Sequence, residues 1–184
     1  MFLRLKEYVL CGSLEHCAGI LEKDWRARAA QRDAQRTGNL VLFSEDFTGD
    51  TLWHVVAAVK RLDCIILFVC FVNKIASIRG KDWMIASSGW NQEEGAKPRS
   101  FGGCYVPFMN VSELLQHRDA MRRTPLDLVA GASGEQTGDE ASLCRLYMRK
   151  VAGLNPPGWT SAVEEVIANE ELAVKRLLAW EGQK

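Results

Sequence analysis

Two stretches of this chain echo one another, and that echo limits the fold more than any other feature. Residues 47–57 read FTGDTLWHVVA and residues 120–130 read AMRRTPLDLVA. Each holds a threonine, an apolar residue two places on, then a His or Asp, then a small apolar run. The two threonines, Thr51 and Thr124, stand 73 positions apart. A threonine in this position accepts a hydrogen bond from an orphan amide of a first helical turn. Pro125, one place later, loses nothing, because its missing N–H would be unpaired there anyway. His54 and Asp127, three residues after the threonines, can meet backbone or loop groups at that end, and Asp127 also suits the helix dipole. Trp53 and Leu126 then point inward. Helices this short do not stand alone in water, so each needs a partner behind it and neighbours on either side.

Partner helices are expected at suitable distances. CGSLEHCAGILEKD (11–24) opens on a glycine turn and carries an apolar stripe at Leu14, Cys17, Ile20 and Leu21. LDCIILFVCFVN (62–73) follows the first of the two echoes, and NVSELLQHRD (110–119) precedes the second. SLCRLYMRKVAG (142–153) places Leu143, Leu146 and Tyr147 at helical spacing. After the turn marked by Pro156, Pro157 and Gly158, the C-terminal segment is expected to form two short helices broken near Asn169.

TPLDLVA at 124–130 resembles the T-P-L-H-x-A helix start of the ankyrin repeat family, with Asp127 in the His position. GDTLWHVVA at 49–57 keeps the Gly, Thr and His and replaces Pro with Leu52 and Leu with Trp53. GSLEHCAGILEKD and NEELAVKRLLAWEG resemble second helices of such repeats. The resemblance implies an all-α, ankyrin-type solenoid of stacked antiparallel helix pairs, in units 1–44, 45–76, 77–118, 119–154 and 155–184. The spacing of 73 is a little over two periods of about 33 residues, so one further unit, around RGKDWMIASSG (79–89), is expected between the two echoes. Three departures stand out: Arg122 replaces the turn glycine, no glycine follows Val59, and two long insertions occupy 90–109 and 131–141.

The family resemblance implies a protein-binding adaptor whose turn tips and first helices form the recognition surface. By position the tips are Asp46, Phe47 and Asp50 in one unit and Arg118, Met121 and Arg123 in the other. An acidic and a basic tip together suggest a partner of mixed charge. Of the six tryptophans, Trp53 and Trp83 fall at core positions, whereas Trp25, Trp90 and Trp159 fall in expected loops, where an exposed Trp would make an interface anchor. The alternative reading is an all-α enzyme or regulatory subunit with a small-molecule pocket under the 90–109 insertion.

Composition narrows the partner. With 23 basic and 23 acidic residues the formal net charge is zero, which speaks against a phosphate-contacting nucleic-acid binder. The apolar run 64–72 is nine residues long and is preceded by Lys60, Arg61 and Asp63. It is too short to span roughly 30 Å of hydrocarbon, so a buried core helix is expected and no membrane partner. The six cysteines, at 11, 17, 64, 70, 104 and 144, are scattered with no leader-like segment before them, so an intracellular location, cytoplasmic or nuclear, is expected. No paired C-x-x-C, catalytic triad or Lys-Ser/Thr phosphate loop is present in the sequence, so neither catalytic residues, nor metal ligands, nor a cofactor are expected. His54 is expected to bond between neighbouring loops, and His117 to end a helix as a cation.

Overall fold

A computed structural model describes residues 1–29, 41–43, 46, 48–79, 111–130 and 140–178. Its helices are α1 (Phe2–Cys11), α2 (Leu14–Ala29), α3 (Leu52–Val59), α4 (Leu62–Arg79), α5 (Val111–Gln116), α6 (Pro125–Ala130), α7 (Glu140–Val151) and α8 (Ser161–Leu177), with a 3-10 turn at Val41–Phe43. The described residues contain no β-strand and their regular structure is all helical, in line with the all-α expectation. None of the described helices is long and apolar enough to cross a membrane.

The helices pack as pairs, α1 on α2, α3 on α4, and α6 on α7. The first members of the pairs, α1, α3 and α6, follow one another in one row, and α2, α4 and α7 in a second. Helix α8 lies along α4, and the short α5 packs against both α6 and α7. Helix α4 therefore touches α2, α3, α7 and α8, and its residues 64–72 are all buried. A helix enclosed in this way must be apolar all round, which accounts for CIILFVCFV.

Two corners make the pairing possible. Gly12 ends α1 in the left-handed region, φ +74°, and its N–H reaches the carbonyls of Tyr8 and Val9. The carbonyl of Gly12 accepts from Arg61 Nη2 at 3.4 Å, and Arg61 is held in place by its ion pair with Asp63. A Cβ at position 12 would lie 2.0 Å from Arg61 Nη1. Gly12→Ala is therefore expected to cost about 1–3 kcal/mol, from left-handed strain plus the displaced guanidinium. Urea unfolding at neutral pH measures this, and a change within about 0.3 kcal/mol would contradict it. At the second corner, where no glycine is available, Lys60 itself takes φ +56° and its N–H caps on the Val56 carbonyl.

Several expectations are corrected. The C-terminal segment is one continuous helix through Asn169 rather than two. With no Gly or Pro between 161 and 177, one unfavourable Asn weighs less than the unpaired backbone groups a break would create. Trp25 lies inside α2 and is buried, so it is a core residue and not a loop anchor. Trp159 does lie in a loop, half-buried against the core, with Lys150 Nζ 5.3 Å from its ring centroid. Among the described residues no helix pair separates the two echoing units, because α3 lies directly against α6. The intervening chain instead supplies α4 to the second row and α5 to the flank of α6 and α7. Trp83, Trp90 and both insertions fall outside the described residues, apart from the first residues of α7.

Candidate interaction surface at the turn tips

The segments before α3 and α6 form the same turn. In the first, Asp46 N–H donates to the Asp50 carbonyl at 2.9 Å and Gly49 N–H to the Asp46 carbonyl at 3.0 Å. In the second, Asp119 N–H donates to the Arg123 carbonyl at 2.9 Å and Arg122 N–H to the Asp119 carbonyl at 2.8 Å. The leading carboxylate closes each turn: Asp46 Oδ1 accepts from Asp50 N–H at 3.1 Å, and Asp119 Oδ1 from Arg123 N–H at 2.8 Å. The left-handed position is Gly49 in one turn, φ +76°, and Arg122 in the other, φ +62°. The missing glycine thus leaves the turn geometry intact, because the aspartate bonds impose it.

Each turn runs into a capped helix. Thr51 N–H and Oγ lie 3.1 and 2.9 Å from His54 Nδ1. Thr124 N–H donates to Asp127 Oδ2 at 2.8 Å, and Asp127 N–H returns a bond to Thr124 Oγ at 3.1 Å. His54 and Asp127 therefore perform the same reciprocal cap.

The two turns are joined to one another. Ala120 N–H donates to the Thr48 carbonyl at 3.0 Å, and His54 Nε2 lies 3.1 Å from the Arg123 carbonyl. Since Nδ1 accepts from the Thr51 N–H, Nε2 carries the proton and donates to Arg123. Gly49 sits so close to the second turn that a Cβ would meet Ala120 N at 3.2 Å. Lys6 of α1 reaches Asp46 Oδ2 at 3.4 Å, tying the first row to the turn.

The electrostatics follow from this bonding. Burial resists ionisation of Asp46, but bonds from Thr48, Asp50 and Lys6 outweigh it and hold the carboxyl below its ordinary range. At Asp119 burial is likewise outweighed, by the backbone and side chain of Arg123. Burial lowers the pKa of His54, against the opposing Arg123 carbonyl and the carboxylates of Asp50 and Asp119. His117 follows α5 rather than ending it, and burial and then His54 lower its pKa. It is therefore held toward its neutral form and not as the helix-ending cation expected.

The donor atoms of Asp50, His54 and Asp119 lie within 4.8 Å of one another, a spacing that could hold a metal ion. Both His54 nitrogens already bond protein groups, so a cation on His54 would have to displace either the Thr51 cap or the bond to the Arg123 carbonyl that joins the turns.

Of the seven expected contact residues, the structure brings Asp46, Asp50, Arg118, Met121 and Arg123 onto the two adjoining turns, while Phe47 and Trp90 lie outside the described residues. Their presentation differs sharply. Met121 is 71% exposed and Arg118 is exposed, whereas the Asp46 and Asp119 side chains are only 11% and 2% exposed. Arg123 is half-exposed and paired with Asp119 at 2.8 Å. Arg122, absent from the expected set, is exposed at the tip. Its alignment with Gly49 was the available signal. No known family, curated protein or solved structure matches this chain.

Proposed function

We propose that this chain is a divergent ankyrin-type solenoid that serves as a protein-binding module through the turn tips ahead of α3 and α6. One observation carries the reading: two turns with the same hydrogen bonds, each leading into a capped helix, lie side by side and leave Met121 71% exposed. The two rows of helices support the solenoid assignment, since repeat units that cannot bury their own apolar faces stack in this manner. An unbranched apolar side chain at a rigid tip is the kind of group that fills a partner's pocket.

The test is affinity capture from cell lysate with chemical cross-linking and mass spectrometry, comparing the intact chain with an Arg118→Ser/Met121→Ser variant. Both side chains are exposed, so the variant's helical spectrum and Tm are expected to match the parent. Cross-linked partner is expected to fall about tenfold. Equal capture by a folded variant overturns the reading.

A further inference from the structure

The two turns differ in one respect that their shared geometry leaves unexplained. At the left-handed position the first has Gly49, φ +76°, and the second has Arg122, φ +62°. A left-handed conformation is strained for an arginine and free for a glycine. Glycine would relieve that strain, as it would at Lys60, so the use of Arg122 is read from its surroundings. Strain kept at an exposed position points from the outlier to a use.

The surroundings say what use. Arg118, Arg122 and Arg123 frame Met121, and no aromatic side chain stands in residues 118–123. Arg118 Nη1 donates to the Arg122 carbonyl at 3.0 Å, which fixes its guanidinium beside the tip. Of the nearby described carboxylates, Asp46 and Asp119 are turned inward, whereas Asp127 is exposed and lies within reach of the Arg118 charge. Asp46 and Asp119 are turned onto backbone amides, Asp50 Oδ2 accepts from Thr48, and Asp127 closes the start of α6. Among the described residues, the 118–123 tip presents guanidinium groups around one apolar anchor.

We infer that the 118–123 turn docks an acidic, extended segment of the partner protein, with an apolar residue of that segment on Met121 and carboxylates on Arg118 and Arg122. The inference rests on the partner-binding reading and specifies its chemistry. Planar guanidinium groups match carboxylates in two-point contacts. A nucleic-acid strand fits less well, since the formal net charge of the chain is zero and the turn has no ring on which a base could stack.

The probe is a fluorescent peptide of about fifteen residues, rich in Asp and Glu with two leucines, read by anisotropy; at that length it spans the turn in extended form. A lysine-substituted peptide and a single-stranded oligouridine of equal length are the comparisons. The acidic peptide is expected to bind, to weaken about tenfold between low salt and about 0.3 M salt, and to exceed both comparisons. Arg122→Gly is expected to weaken it at least about fivefold while raising Tm by about 2 °C, and Arg122→Lys, which keeps the charge but loses the two-point contact, to weaken it less than Arg122→Gly. Loss of binding in a more stable variant separates contact from folding. Equal binding by Arg122→Gly, or tighter binding of the oligouridine, overturns the inference. If the acidic peptide fails to bind while capture still depends on Arg118 and Met121, the acidic specificity falls and the partner-binding reading stands. If neither depends on the turn, both fall.

Discussion

Trp53→Ala is expected to remove about 3–5 kcal/mol of stability, whereas Trp53→Phe should cost no more than about 1 kcal/mol. Trp53 is fully buried in α3 and meets Phe68 of α4 edge-on, with ring centroids 5.6 Å apart and planes at 75°. Alanine leaves a cavity where the first and second helix rows meet, and neighbours wedged between two rows relax little. The phenylalanine variant is informative for a different reason. Trp53 Nε1 has no hydrogen-bond partner among the described residues. Phenylalanine keeps most of the apolar volume and removes an unmet donor, so the small void and the relieved desolvation offset one another. Urea midpoints for the three proteins decide the matter. A Phe variant as unstable as the Ala variant would mean that the indole N–H is bonded after all.

The same residue shows how much of the fold could be read beforehand. The threonine caps, the inward Trp53 and the buried run 64–72 follow from helical spacing and local chemistry, and each stands as expected. What failed depended on contacts between distant segments. Trp25 sits among Lys23, Arg26 and Arg28, and that neighbourhood resembles a loop until α4 is placed against α2. The spacing of 73 invited a count of repeat periods, yet α3 and α6 touch, and the described part of the chain between them goes to α4 and α5. The turns were half legible. Their positions followed from the echo, but the inward aim of Asp46 and Asp119 could not be read from an acidic letter. A carboxylate four residues before a turn's end can bond the backbone or face solvent, and the sequence alone does not choose. That choice decides whether the tips present acidic or basic groups.

His54→Phe is expected to cost about 2–4 kcal/mol near neutral pH and to flatten the pH dependence of stability below it. The imidazole is buried and accepts from Thr51 at Nδ1 while donating from Nε2 to the Arg123 carbonyl. Phenylalanine fills the space and leaves the Thr51 amide and the Arg123 carbonyl without that partner. Protonation attacks the same arrangement, since an imidazolium has no lone pair at Nδ1 for the Thr51 N–H. Burial lowers the His54 pKa, and His117, whose ring lies edge-on with a centroid distance of 5.9 Å, is lowered by burial and by His54. The Asp50 and Asp119 carboxylates oppose the shift at His54 without reversing it. In the unfolded chain each His takes up its proton near pH 6.5, and in the folded chain at lower pH. The unfolded state thus binds more protons in the window between those values. Stability from the pair is complete above about pH 6.5 and is lost as pH falls through the lower, folded values. This window opens near pH 6.5, above the acid limb set by Asp46, Asp119 and Asp127, whose lowered pKa values remove stability only below about pH 4. Urea midpoints of the parent are therefore expected to fall from about pH 7 to about pH 5, less steeply in His54→Phe and least in His54→Phe/His117→Phe. A parent whose midpoint stays level across that range would mean that the two turns are not joined through a neutral His54.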